Sequence, residues 1–254
     1  MVWCFALTRM FVGAEGGKLH LVTISGIFDH KMVPMLLSAG RLGYSPRILG
    51  LSLPAAMPKK GEKTVWGRRL SFKLNTMRKF VREELSDGND IALLIDAYDV
   101  LLLQPPGELV AKFEQHCQRH PGRQLLFSAE AQPGFRSQEF PAQEHRWRFL
   151  NSGSIIGRVS VWRELLAEGA PDPLPERYVG DQDWLIDRYL NTSALGGKLG
   201  LDTSCDVFQV ACHVMPLEAH PACPAGGGVT LLGNGSILNP ETGTQPAVLH
   251  LPGA

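Results

Sequence analysis

The chain has 254 residues, 44% hydrophobic and 20% charged, with 25 lysines plus arginines against 25 aspartates plus glutamates. That length and composition support one large α/β domain with a substantial core. Zero net charge removes any bulk electrostatic case for nucleic acid or an anionic membrane as partner.

Five cysteines, Cys4, Cys117, Cys205, Cys212 and Cys223, contain no Cys-x-x-Cys pair. This argues against zinc and against a disulfide framework, leaving one bridge among Cys205, Cys212 and Cys223 open for an oxidising compartment. Residues 1–18 read as an N-terminal extension before a single domain over residues 19–254. Residues 1–13 are apolar but interrupted by Thr8 and Arg9. They lack the basic leader of a secretory signal and are too short to span a bilayer. The expectation is a cytosolic protein or a targeting segment absent from this sequence.

Residues 19–25 form a first strand ending in Thr23, Ser25 and Gly26. Met32, Met35, Leu36 and Ala39 then recur at helical spacing, and Gly43 ends that helix. Residues 47–51 suit a second short strand. Residues 53–67, rich in Pro, Lys and Gly, read as a long active-site loop carrying Trp66. Basic residues cluster at 59–63 and 68–73, a pattern that a solvated face also produces. Leu70, Leu74, Met77, Val81 and Leu85 mark the next helix, and residues 87–90 a turn.

Residues 91–99 read Ile-Ala-Leu-Leu-Ile-Asp-Ala-Tyr-Asp. Five apolar residues in a row suit a strand buried on both faces, and ligands in open α/β sheets bind beyond the carboxyl ends of strands. Asp96 and Asp99 at that exit are hard oxygen donors suited to Mn²⁺ or Mg²⁺ shared with a diphosphate. An Asp-rich turn capping the next element reads equally well from these residues alone.

After Pro105-Pro106-Gly107, the residues Leu109, Val110, Phe113 and Cys117 line one helical face. Residues 124–129 form a further strand, 130–145 a polar loop, and 149–157 an apolar, small stretch headed by Asn151-Ser152-Gly153. Asn151 and Ser152 are expected on a turn facing the substrate or held by an Asx hydrogen bond. Ser160 is the expected N-cap of a helix over 161–166. Gly180-Asp181-Gln182-Asp183 precedes a helical pattern within 178–190, where Asp181 reads as a cap or as a functional acid. Beyond Gly200 come short strands and Gly/Pro loops. Strands alternating with helices argue for a doubly wound or closely related α/β sandwich.

Residues 94–100 (Leu-Ile-Asp-Ala-Tyr-Asp-Val), 126–130 (Leu-Phe-Ser-Ala-Glu), 149–157 (Phe-Leu-Asn-Ser-Gly-Ser-Ile-Ile-Gly), Asp181-Gln182 and 201–209 (Leu-Asp-Thr-Ser-Cys-Asp-Val-Phe-Gln) stand in a telling order. Together they resemble the glycosyltransferase domain of the procollagen lysyl hydroxylases over roughly residues 19–254. The resemblance implies a single GT-A-type, Rossmann-like α/β/α sandwich with a mostly parallel central sheet. It implies a UDP-sugar donor, Mn²⁺ (or Mg²⁺), and transfer of glucose or galactose to a protein or glycan acceptor, hydroxylysine-linked in collagen-like proteins. The family's glucosyl transfer retains anomeric configuration. It further implies the endoplasmic reticulum or secretory pathway, while a hydroxylase activity is not predicted for a sequence that stops at Ala254.

On the same resemblance Asp96, Asp99 and His250 hold the metal, and Tyr98 stacks on uracil. Thr23, Ser25 and Trp66 contact the nucleotide, Lys73 neutralises the phosphates, and Asp181 and Asn151 lie near the transferred sugar or acceptor. The sequence departs from the family at Gly180, where an acid is usual and Asp183 is a partial substitute. It departs also after His250, with Leu-Pro-Gly, and at the aromatic gate, where Phe135 is displaced by about one position. Those departures motivate a second reading, a catalytically impaired UDP-sugar- or glycan-binding module. A nucleotidyltransferase or metal-dependent hydrolase using the same carboxylates is a third.

Overall fold

A computed structural model describes residues 17–51, 63–171, 175, 177–178, 180–191, 195, 197–211, 228–233 and 235–252, with backbone alone for 63–70. Expectations for the N-terminal segment, for residues 53–62 and for Cys4, Cys212 and Cys223 fall outside these residues.

Six strands form the central sheet: β1 (Leu19–Ile24), β2 (Arg47–Leu49), β3 (Ile91–Ile95), β5 (Leu125–Glu130), β6 (Phe149–Arg158) and β7 (Leu199–Asp202). Their order is β2-β1-β3-β6-β5-β7. β1 runs parallel to β2 and β3, and β5 runs parallel to β7; β6 alone is reversed, antiparallel to β3 and β5. The sheet is mostly parallel, as the resemblance implied.

Every residue of β3 is buried, and its side chains alternate between two cores as a strand's period of two requires. Ala92 and Leu94 join the core of α2 (Lys63–Glu83), α4 (Val159–Leu165) and α5 (Asp181–Leu190), where Leu74, Met77, Phe80, Trp162 and Leu185 are buried. Ile91, Leu93 and Ile95 join the opposite core with Met35, Ala39 and Phe113 from α1 (Val33–Arg41) and α3 (Pro106–Arg119). These two layers flanking one sheet make the α/β/α sandwich that the resemblance implied.

The largest buried side chains keep their polar atoms paired. The Trp162 indole donates to the Ala92 carbonyl at 3.0 Å and the Trp147 indole to that of Val210 at 3.2 Å. Truncating either to alanine costs about 3–5 kcal/mol by the usual behaviour of core tryptophans. Gly43, at φ 84°, ends α1 in the left-handed region as the sequence indicated.

Three local expectations are corrected. The active-site loop assigned to residues 53–67 gives way to helix at Lys63, where α2 begins. Trp66, Leu70 and Leu74 extend the four-residue spacing backwards, and the single Gly67 costs the helix only about 1 kcal/mol. Ser160 does not cap α4, which starts at Val159 after Arg158. The strand β6 runs straight into that helix, and its first N–H groups are met by the 87–90 turn, Val159 on the Asp90 carbonyl and Ser160 on that of Gly88. Asn151 and Ser152 lie inside β6 rather than on a separate turn, although the expected Asx hydrogen bond forms there, from the Gly153 N–H to Asn151 Oδ1 at 2.9 Å.

A second sheet went unforeseen. β4 (Val100–Leu102) pairs antiparallel with β11 (Val248–His250), which pairs parallel with β8 (Phe208–Val210). β9 (Thr230–Leu231) and β10 (Ile237–Leu238) form a separate hairpin. Cys205 is buried and carries no disulfide among the described residues, from which its candidate partners Cys212 and Cys223 are absent. Among the described residues no helix is long and apolar enough to cross a membrane.

Candidate active site

The site gathers where three backbone events meet. β3 ends at Ile95 and the next N–H, of Asp96, donates to the Gly153 carbonyl at 2.8 Å, locking the strand exit onto β6. The chain then bends and re-enters a strand at Val100, which lies opposite His250 in the β4–β11 pairing. The Leu251 N–H donates to the Asp99 carbonyl at 2.7 Å, closing the arrangement.

Ligand atoms of Asp96, Asp99 and His250 all lie within 4.8 Å of one another, the two acids half-buried and the histidine buried. His250 Nε2 is 3.5 Å from Asp99 Oδ1 and 3.8 Å from Asp96 Oδ2. Both spacings are under twice a metal–ligand distance of about 2.1 Å, so one cation could reach the imidazole together with either carboxylate. Hard carboxylates with one imidazole suit Mn²⁺ or Mg²⁺ better than a soft metal.

β6 makes room for the imidazole. Phe127 of β5 faces Ile155, but its neighbour Ser128 faces Asn151, so residues 152–154 bulge from the ladder. Gly153 sits in that bulge, and a Cβ there would lie 2.1 Å from His250 Cε1. Glycine is required by the histidine ring above it.

Lys73, on α2, reaches the same place from the opposite side of β3. Its ammonium lies 2.6 Å from Asp96 Oδ1 and 3.0 Å from Asp181 Oδ2, and donates to the Ser152 carbonyl at 3.1 Å. Burial pulls this ammonium down, but the Asp181 and Asp96 charges more than offset it and hold Lys73 protonated above the ordinary lysine range. Asp96, Asp99 and Asp181 against Lys73 leave two formal negative charges for a divalent cation to balance.

Asp181 is the first residue of α5, with Gly180 in the capping position, so it is not the cap. It is 6% exposed. Its Oδ2 pairs with the Lys73 ammonium at 3.0 Å, and the second lone pair of a carboxylate oxygen leaves it able to accept one further hydrogen bond. Asp183 follows Gly180 by three residues, the spacing that puts it one turn further along α5 from the position of the missing acid. Phe135 packs edge-on against Tyr178 with ring centroids 5.9 Å apart, tied into the core.

Tyr98 is 38% exposed between the two aspartates, its hydroxyl 2.7 Å from Ser25 Oγ. Thr23 is fully buried on β1, and its hydroxyl has no partner among the described residues. The Trp66 backbone is helical; its side chain lies outside the described residues. The structure therefore brings Asp96, Asp99, His250, Lys73, Asp181 and Asn151 together, with Ser25 and Tyr98 adjoining.

Sequence reasoning missed Gly153 as a site residue, along with the partners Glu130 and Gln182. Gln182 donates to Glu130 Oε1 at 2.7 Å, and the Ser152 N–H donates to Gln182 Oε1 at 3.1 Å. Burial pushes the Glu130 carboxyl above the usual carboxylate range despite donation from Gln182 and Asn151. All three lie inside the quoted motifs; the missing signal was that β6 bulges.

Two carboxylates at the exit of β3, an imidazole on β11 and a buried ammonium on α2 meet on this α/β/α sandwich, and comparison with known proteins makes it a glycosyltransferase domain. The chain belongs to a particular family of these: the model of the PLOD GT domain matches residues 16–250. The Rattus norvegicus multifunctional procollagen lysine hydroxylase and glycosyltransferase LH3 is 31% identical over 199 residues, 76% of this chain and 25% of that protein. Procollagen-lysine,2-oxoglutarate 5-dioxygenase 1 of Mus musculus is 28% identical over 141 residues, 54% of this chain and 18% of its own length. The chain thus spans a quarter or less of these relatives. Among solved structures, apo mouse xyloside xylosyltransferase 1 matches with a TM-score of 0.45 and 13% identity, over 76% of this chain and 88% of that one.

Proposed function

We propose that this glycosyltransferase domain moves a hexose, glucose or galactose, from a UDP-sugar to an acceptor hydroxyl with a divalent cation, Mn²⁺ before Mg²⁺. The observation that carries the reading is the convergence of Asp96, Asp99 and His250 beside the Lys73 ammonium. The acceptor class follows from the relatives named for procollagen lysine: a hydroxylysine or a galactosyl-hydroxylysine in a collagen-like protein.

In this reading the three ligands hold a cation that acts as Lewis acid on the departing diphosphate. Lys73 adds a fixed positive charge on the same phosphates, stronger in its low-dielectric setting than in water. Asp181 accepts a hydrogen bond from a hydroxyl of the hexose or the acceptor and so orients it. Tyr98 offers a half-exposed ring to uracil, and Ser25, beside it just past β1, supplies a hydroxyl for base or ribose; Thr23, fully buried, is assigned to the nucleotide by resemblance alone. Trp66 is assigned to the nucleotide by resemblance alone.

The test is UDP release in Mn²⁺ across UDP-glucose, UDP-galactose and UDP-N-acetylglucosamine, with hydroxylysine and galactosyl-hydroxylysine peptides. Turnover confined to one UDP-hexose and raised by an acceptor peptide supports the proposal. Tight UDP-sugar binding with no release would assign a binding module, and release of sugar phosphate would assign a hydrolase.

A further inference from the structure

We infer that Asn151 is a positioning residue that holds His250 as the Nδ1–H tautomer, leaving the Nε2 lone pair aimed between Asp96 and Asp99. This deepens the metal reading proposed above and rests on it. It also takes Asn151 away from the sugar or acceptor, where the resemblance had put it, since both ends of its amide are bonded to protein groups.

The argument needs no assumption about proton positions on the histidine. Asn151 Oδ1 lies 2.9 Å from the backbone N–H of Gly153, which can only donate. The amide atom at that place is therefore oxygen, not nitrogen. Ser128 Oγ, 3.3 Å from the same oxygen, adds a second contact. The same Oδ1 lies 2.9 Å from His250 Nδ1, so that nitrogen must carry the hydrogen. A neutral imidazole with hydrogen on Nδ1 has its lone pair on Nε2, the atom 3.5 Å from Asp99 and 3.8 Å from Asp96.

The other end of Asn151 is pinned as well. Its Nδ2 donates to Glu130 Oε2 at 3.4 Å, and Glu130 takes its second bond from Gln182. Gln182 cannot flip either, because its Oε1 accepts from the Ser152 N–H. Two backbone N–H groups of one β-bulge, Ser152 and Gly153, thus set the orientation of two amides, and through them one imidazole. His250 is itself 4% exposed, so no bulk water competes for Nδ1. Partners of this kind commonly change metal affinity by about 10- to 100-fold when removed.

Two measurements test this on the full chain. The first is the imidazole ¹⁵N spectrum of the metal-free protein, with the His250 signals assigned by their loss in His250→Gln. Shifts of an Nδ1–H tautomer are expected; an Nε2–H tautomer in the unmutated protein overturns the inference without any variant. The second is a Mn²⁺ titration followed by electron paramagnetic resonance, with no donor or acceptor present. Asn151→Ala is expected to weaken Mn²⁺ by about 10-fold or more. Asn151→Asp, which keeps an oxygen for the Nδ1–H and for Gly153, is expected to recover most of that loss. Equal Mn²⁺ affinity in the unmutated protein and Asn151→Ala overturns the inference while leaving the metal reading intact. Failure of the unmutated protein to bind Mn²⁺ overturns both.

Discussion

At the scale of single residues, the ligand set rests on atoms that contribute little packing. Asp96 and Asp99 are half-buried at a strand exit. Asp96→Ala and Asp99→Ala are expected to abolish UDP release while circular dichroism and thermal melting show a folded protein; near-normal transfer by either variant would refute the ligand set. His250→Ala is expected to shift the Mn²⁺ titration far more than the preference among UDP-hexoses. Gly153→Ala forces a Cβ to within 2.1 Å of the His250 ring. Overpacking of this kind costs typically about 1–3 kcal/mol, so its Tm should fall together with its Mn²⁺ affinity. A variant with unchanged Mn²⁺ affinity would show that the ring moves aside freely.

The aspartates were legible before any coordinates because a run of apolar residues stops at them, and His250 because it sits in a matching motif. Asn151 was misplaced for a physical reason. A sequence of Asn-Ser-Gly carries the signature of a turn, and the bulge that gives β6 that local character inside a continuous strand is set by pairing with β5.

At the scale of elements, the connection from β7 to β8 hangs on one buried carboxylate. Asp202 Oδ2 accepts from the backbone N–H groups of Val207 and Phe208, each at 2.8 Å, and Oδ1 from that of Asp206 at 3.1 Å. Cys205, inside this turn, adopts φ 52°, a conformation the carboxylate bonds help to hold. Burial nevertheless pushes the Asp202 carboxyl up to about 6 from 3.8, against those three donors. A folded-state value above the unfolded one gives stability that is complete below the unfolded value and is lost as pH rises through the folded value. The stability of the unmutated protein relative to Asp202→Asn should therefore be about 2 kcal/mol greater at about pH 4.5 than at about pH 7, read from paired urea titrations. A constant difference would mean that Asp202 titrates like an exposed acid.

Helices and long strands were readable because their apolar periodicity is local. α1, α3 and β3 lie where Met35, Phe113 and the run from Ile91 placed them. β4, β8 and β11, of three residues each, were not separately placed. Strands so short carry almost no periodic signal, and their existence depends on partners far along the chain. The start of α2 was missed because a proline- and lysine-rich stretch masks the first turns of a long helix.

At the scale of the whole molecule, the C-terminal strand completes the site. β11 is the central member of its sheet, bonded to β4 on one side and β8 on the other, and it carries a proposed metal ligand. Deleting residues 246–254 should abolish Mn²⁺ binding and expose the backbone of both neighbours. Faster amide exchange across residues 100–102 and 208–210 is the measurement that checks this. Protection left intact there would mean that β4 and β8 hold without their central strand.

The pairing of Val100 with His250 carries one more implication. Neighbouring side chains of a strand leave its backbone on opposite sides, so a slip by one place points the imidazole away from the aspartates. Lengthening the turn at residues 232–236 leaves that phase untouched. Inserting one residue between Val248 and Leu249 inverts it. Length changes are thus expected to be harmless to Mn²⁺ binding in the hairpin and to abolish it within Val248–His250, where parity rather than composition decides whether the proposed cation keeps its imidazole.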